Sequence, residues 1–146
     1  MHFFNPALVM QLVEVVQGPH TSEETAQLTM ELSKKFNKLG VLLKKEINGF
    51  LVNRILDVIM NEALFLADIG IATPEEIDLA VVHGLGHPMG PYKLMDLVGI
   101  DLSYIGAMEY YQETRDPKDK PSPLIVEKYI KGEYGMKTKK GFYTYE

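Results

Sequence analysis

Cysteine is absent from the chain, which excludes disulfides and any cysteine-ligated zinc site and is compatible with a reduced compartment. No apolar run is long enough to span a membrane. The N-terminus lacks the basic-then-apolar pattern of a secretion signal, so a cytoplasmic protein is expected. Clustered basic residues are also scarce. Fifteen Lys and Arg stand against 20 Asp and Glu, for a net charge of −5. That balance argues against nucleic acid as a partner, because phosphate binding needs concentrated positive charge. There is no internal repeat and no low-complexity tract. What is present is ordinary globular composition, 46% hydrophobic and 24% charged, in 146 residues, enough for a sizeable core.

The first 46 residues read strand–helix–strand. Residues 9–16, Val-Met-Gln-Leu-Val-Glu-Val-Val, are β-branched and apolar with intermittent polar positions. Alternation along a strand places Glu14 on the face opposite Val13 and Val15. Gln17-Gly18-Pro19 ends that strand. Thr21 with Glu24 three positions on reads as a capping box, opening a helix to about residue 39 with Gly40 as its C-terminal stop. Residues 41–44 form a second short strand. This unit reads as if cut from the end of an α/β domain.

After Asn48-Gly49 the pattern turns helical. Residues 50–69 are apolar around most of a helical circumference, which calls for partners on more than one side. Thr73-Pro74-Glu75-Glu76 is a strong helix start, and that helix breaks at Gly84-Leu85-Gly86. Further helices are expected over 91–98, over 102–113 with Asp101 as cap, and from Ser122-Pro123 to about Gly132. Residues 115–121 read as a charged loop, and 141–145 as a packed extended end. The expected fold is mainly α: residues 47–146 form an all-helical domain, preceded by residues 1–46.

His2 and Glu14 form the leading chemical candidate. Histidine is the usual acid/base near neutral pH, and a carboxylate is the usual group that orients it. The spacing alone favours a near-terminal His and an unrelated strand Glu, since such pairs within a dozen residues are common. A catalytic base as the second residue has almost nothing upstream to build its pocket, so the chain is expected to be a piece of a larger enzyme. His83 and His87 have HxxxH spacing, but Gly84, Gly86 and Pro88 argue against one helix carrying both, so no metal site is assigned. Gly84-Leu85-Gly86-His87-Pro88-Met89-Gly90-Pro91 lacks the GxGxxG pattern and reads as a helix–helix connection. Asn53 lies in the apolar setting of Phe50, Leu51, Val52, Ile55 and Leu56. It either meets a substrate carbonyl or bonds neighbouring backbone. From charge alone, Lys137, Lys139 and Lys140 read as a solvated basic tail.

In order, the chain carries His2-Phe3-Phe4-Asn5-Pro6, a Leu-Val-Glu-Val run, Asn48-Gly49-Phe50-Leu51-Val52-Asn53-Arg54, and Gly84 through Pro91. Asp96-Leu97-Val98-Gly99-Ile100-Asp101 and Lys137-Thr138-Lys139-Lys140-Gly141-Phe142-Tyr143 complete the series. Together it resembles the L-3-hydroxyacyl-CoA dehydrogenase family over essentially the whole chain. The resemblance implies that residues 1–46 are the end of a Rossmann domain for NAD. It implies that residues 47–146 are the helical domain carrying the substrate and dimer surfaces. The GxGxxG turn is missing from these residues, as is a serine the family places upstream of His2. By resemblance, His2 is the catalytic histidine, Glu14 its carboxylate partner and Asn53 a substrate contact. Asn5 and Lys137 fall where the family lines the cofactor region. The implied partners are an acyl-CoA substrate of fatty acid β-oxidation or butanoate metabolism and a second copy of the chain. A chain with this base and no dinucleotide turn is expected to be inactive alone. A helical dimerisation module, or a sister dehydrogenase acting on a sugar acid, are the alternatives. The sequence departs from the family at Asn48, where proline is common, and at Lys139 and Lys140, where glycine and an acid are usual.

Overall fold

The computed structural model describes residues 1–146. The chain divides into two compact units, Met1–Asp57 and Val58–Glu146, with the division falling inside one helix. No helix is long and apolar enough to cross a membrane.

The first unit is a three-stranded sheet with one helix. Strands β1 (His2–Phe3), β2 (Leu12–Val16) and β3 (Leu39–Leu43) lie in the order β1-β2-β3. β1 runs antiparallel to β2, and β2 runs parallel to β3. Helix α1 (Glu23–Lys35) makes the crossover that a parallel pair requires. Val13, Val15, Ala26 and Leu43 are buried and form the apolar contents of the unit. A short antiparallel strand at the very start was not expected from the sequence. Two residues show no periodicity, and only pairing with β2 defines them.

Both ends of α1 differ from the sequence expectation. Its N-cap is Ser22, whose hydroxyl accepts the Thr25 N–H at 3.1 Å, rather than Thr21. The helix ends at Lys35, where Asn37 takes the left-handed conformation at φ +56°. Lys38 N–H donates to Ser33 O at 3.0 Å and Asn37 N–H to Lys34 O at 2.9 Å, the paired bonds of a Schellman stop. Gly40 therefore does not end the helix; it lies inside β3. A Cβ there would come within 2.5 Å of Ser33 Oγ and 3.1 Å of Met30 Sδ, so its role is close approach of β3 to α1. Lys38 Nζ donates to the carbonyls of Ala7 (2.6 Å) and Met10 (2.7 Å), which ties down the loop between β1 and β2.

Helix α2 (Val52–Asp68) follows. Its apolar character is not matched by burial on every side. Ala63 and Leu64 are buried, while Leu51 just before it and Ile55, Val58 and Phe65 within it are exposed.

The second unit packs the rest of α2 with α3 (Pro74–Leu85), α4 (Pro91–Val98), α5 (Ile100–Thr114) and α6 (Pro123–Ile130). α3 opens with the expected capping box: Glu76 N–H donates to Thr73 Oγ1, and Thr73 N–H donates to the Glu76 carboxylate. It closes at left-handed Gly86, and α4 starts after Gly90, so residues 86–90 connect the two helices, while Gly84 and Leu85, expected in the break, are still part of α3. α5 begins directly after Gly99. Asp101 is thus inside its first turn rather than capping it, and it pairs with Lys137. A core of Ala63, Leu64, Ile77, Tyr92, Met95, Ile100 and Ile125 fills the unit. Tyr92 is fully buried, and its hydroxyl donates to Ala63 O at 2.8 Å. Burial raises the Tyr92 phenol far above its usual range, so it stays a donor.

Two buried aspartates organise this unit. Asp78 accepts the N–H groups of Tyr92 (2.8 Å) and Lys93 (3.0 Å) at the start of α4, and the Tyr143 hydroxyl at 2.8 Å. Asp96 accepts the N–H groups of Phe142 and Tyr143 and the Tyr145 hydroxyl, each at 2.9 Å. The C-terminal segment is thereby fastened to α3 and α4. The fold class is mainly α: a helical region preceded by the strand–helix–strand end of a Rossmann domain.

Candidate active site

The β1–β2 register places His2 opposite Glu14. Directly opposed residues on an antiparallel pair project from the same face. His2 Nδ1 and Glu14 Oε2 are 2.7 Å apart. The two residues are twelve apart in sequence, but the pairing makes them neighbours.

Glu14 is fully buried, and such a carboxylate requires partners on both oxygens. Oε2 is taken by His2. Oε1 accepts the N–H groups of Leu51 (3.0 Å) and Val52 (2.9 Å). These amides open α2, where a helix has donors with no intrahelical partner and a positive dipole end. The chain presents both of them through two successive positive-φ residues, Gly49 at +76° and Phe50 at +47°. Glycine takes that conformation freely, but for a phenylalanine it costs about 1–2 kcal/mol. Burial pushes the Glu14 carboxyl up. The hydrogen bonds from His2, Val52 and Leu51, with the His2 charge, outweigh it and hold the group below its ordinary range.

An ionised carboxylate only accepts hydrogen bonds, so the contact assigns the proton to His2 Nδ1. Nε2 of the neutral ring is then left as the acceptor. The imidazole is flanked by two rings, Phe4 at 4.8 Å and Phe50 at 5.1 Å between centroids. The His2 side chain is 28% exposed, so it remains accessible to a small reactant.

The other candidate residues divide by unit. Asn53 is the second residue of α2, beside the anchored Val52. It is exposed, and its side-chain amide makes no hydrogen bond within the protein. Its amide is therefore not the buried, backbone-bonded group that one sequence reading offered. Asn5 is exposed and precedes a cis bond to Pro6. Lys137 belongs to the second unit, where it pairs with Asp101 and lies 5.7 Å from the Tyr134 ring centroid. His83 sits in the last turn of α3, and His87 follows left-handed Gly86, so the two do not share a helix face. A concave surface of about 410 Å³ in the second unit is lined by Ala67, Ile71, Thr73, Leu124 and Glu76. Its one acid is engaged in the Thr73 capping box, so it offers no acid/base chemistry.

Sequence reading did not find the Leu51 and Val52 amides or the Phe4 and Phe50 rings. The Asn48-Gly49 turn before an apolar helix was the available signal for the amides. Nothing in the pattern marked Phe50 as left-handed.

An imidazole held in one tautomer by a buried, ionised carboxylate is a general acid/base element. The chain belongs to the 3-hydroxyacyl-CoA dehydrogenase family. Residues 49–145 match the family's C-terminal domain, and residues 1–47 match its NAD binding domain. It is 45% identical over 145 residues to a 3-hydroxybutyryl-CoA dehydrogenase of Clostridioides difficile, covering 99% of this chain and 51% of that one. Against the human mitochondrial hydroxyacyl-coenzyme A dehydrogenase the identity is 40% over 147 residues, covering 100% and 46%. The crystal structure of (S)-3-hydroxybutyryl-CoA dehydrogenase PaaH1 from Ralstonia eutropha superposes with a TM-score of 0.92 at 42% identity, covering 100% and 51%. The chain thus spans about half the length of the relatives it matches.

The family implies NAD, but the βα turn of this unit does not fit the dinucleotide's pyrophosphate. Gln17-Gly18-Pro19 follows β2 in place of a glycine-rich turn. The N-terminus of α1 is closed by Ser22 and carries Glu23 and Glu24 in its first turn. Those acids repel the phosphate charge that a dinucleotide-binding helix start attracts.

Proposed function

We propose that this chain supplies the acid/base half of an NAD-dependent 3-hydroxyacyl-CoA dehydrogenase. The observation that carries this is Glu14, one buried carboxylate holding both the His2 imidazole and the start of the helix that bears Asn53. Oxidation of a 3-hydroxyacyl thioester removes a hydride from C3 and a proton from the hydroxyl. The proton is this chain's part. Neutral His2 takes it at Nε2, and Glu14 stabilises the imidazolium that forms. In the reverse direction His2 returns it to the ketone oxygen. Asn53, exposed one residue beyond the anchored helix start, is suited to donate its amide N–H to a substrate carbonyl. Asn5 and Lys137 are assigned to the cofactor region on family resemblance alone. The pyrophosphate site lies outside these 146 residues.

The test is acetoacetyl-CoA-dependent NADH oxidation. One sample is the chain alone. The other is the chain joined to the half of the Clostridioides difficile relative that lies outside the match. Turnover is expected only in the joined protein. No turnover there, or equal turnover by the chain alone, would overturn this reading.

Self-association is a second reading, favoured by exposed Val58, Phe65 and Ile69 of α2 and neighbouring turn, and Leu102 and Ile105 of α5. Sedimentation should show a dimer at micromolar concentration; monomer alone counts against it.

A further inference from the structure

Phe50 is the one aromatic residue with a positive φ, at +47°. A bulky residue in that region is an outlier that calls for a reason. Its neighbour Gly49 already supplies a free left-handed residue at +76°, so the turn has its easy bend and still places a phenylalanine in the costly one. Two contacts converge on this position. Its ring lies 5.1 Å from the His2 imidazole, beside Phe4 at 4.8 Å. Its backbone leads directly into the Leu51 and Val52 amides, which both take Glu14 Oε1. The remaining oxygen, Oε2, is thereby left for His2 Nδ1.

We propose that Phe50 is a positioning residue for His2: the ring confines the imidazole plane while the left-handed backbone directs Glu14 so that one oxygen is reserved for Nδ1. The proposal rests on the acid/base reading of His2. Phe50 touches no reacting atom. It acts by keeping the neutral ring in the Nδ1–H tautomer, with Nε2 bare. Without the ring the imidazole can rotate away from Oε2, and water can serve either nitrogen. Leucine removes the ring and keeps a side chain at the positive φ, while glycine removes the ring and eases the backbone, so the pair separates loss of the ring from strain. Tyrosine would keep the ring.

The experiment is nitrogen-15 NMR of the histidine side chains across a pH titration, on the 146-residue chain and its F50L, F50G and F50Y forms. His20 in the first unit and His83 and His87 in the second serve as internal markers of folding. The unsubstituted chain is expected to show His2 as a single Nδ1–H tautomer when neutral. F50L and F50G should both lose that pattern for exchange-averaged shifts on both ring nitrogens. F50Y should restore it. His20, His83 and His87 should be unmoved in all three. An unchanged His2 tautomer in F50L and F50G would overturn the proposal. So would unfolding of both, since Phe50 would then be a core residue rather than a positioning one. A pattern lost in F50L but kept in F50G would assign the effect to leucine strain and also overturn it. No turnover is measured, so the result stands apart from the dehydrogenase assay. Failure of that assay with the tautomer shift intact would count against the reaction and leave the positioning role in place.

Discussion

The two units solve the same problem with a buried carboxylate, and one detail separates a site from a fastening. Glu14 accepts two consecutive amides at the start of α2 and a side-chain donor, His2. Asp78 accepts two consecutive amides at the start of α4 and a side-chain donor, Tyr143. Both satisfy orphan helix donors from a desolvated acid. The third ligand differs. Imidazole can gain and lose a proton near neutral pH. The Tyr143 phenol is raised well above its usual range, first by burial and then by its bond to Asp78, so it never releases its proton under ordinary conditions. The distribution of ligands differs too. Glu14 gives both amides to one oxygen and His2 to the other. Asp78 gives one amide to each oxygen.

His2→Gln should have the largest effect. In the joined, active protein it removes the proton acceptor, and kcat should fall on the order of 10²–10⁴-fold. The unfolding midpoint of the second unit should not move. A fall of less than about tenfold would dissolve the contrast between the units.

Glu14→Gln and Asp78→Asn test the ligand distribution. In the first, the new glutamine can keep its carbonyl oxygen on Leu51 and Val52 while its NH₂ faces His2 Nδ1. That preserves the helix anchor and inverts the tautomer, so Nε2 carries the proton and cannot accept one. kcat should drop on the order of 10²-fold or more, with a stability loss of only about 1 kcal/mol. In the second, the new asparagine has no such solution, because its NH₂ must face a backbone N–H whichever way it turns. Asp78→Asn should cost about 2–3 kcal/mol in denaturant unfolding. Equal stability losses would break the distinction. The pH dependence follows from the lowered Glu14 carboxyl. Its ionised form contributes stability that is fully present above the ordinary value of 4.5 and is lost as pH falls through the lower folded value. Acid titration of stability should show that loss in the parent chain and not in Glu14→Gln.

The comparison also explains what was readable beforehand. The alternation of 12–16 gave Glu14 a face opposite Val13 and Val15, yet all three are buried. The expected polar face is covered because β1 and the start of α2 meet Glu14 there, and neither contact has a periodic signature. His2 and Glu14 stood out by type, but only the antiparallel register made them a pair. Asp78 and Asp96 were not singled out for burial; that burial depends on a C-terminal segment that returns 46 to 65 residues later. Thr73-Pro74-Glu75-Glu76 was legible because its chemistry is local. Gly40 and Asp101 were misread for the same reason in reverse. Each matched a local signal, while close packing against Ser33 and an ion pair with Lys137 decided the outcome.

The smallest expected effect on stability is also the sharpest test of where the chemistry begins. Asn53 follows an anchored residue, but its side chain makes no hydrogen bond within the protein. Asn53→Ala should therefore change unfolding free energy by no more than about 0.5 kcal/mol, as surface substitutions do. Alanine is also the better helix former, which favours the variant slightly. If Asn53 meets the substrate, the same change should still lower kcat/KM in the joined protein by about tenfold, the worth of one hydrogen bond near 1.4 kcal/mol. A residue that matters for turnover and not for folding is the opposite of Asp78. If Asn53→Ala instead destabilised the chain and left kcat/KM intact, the helix start held by Glu14 would be a fastening like the one held by Asp78, and the difference between the units would rest on His2 alone.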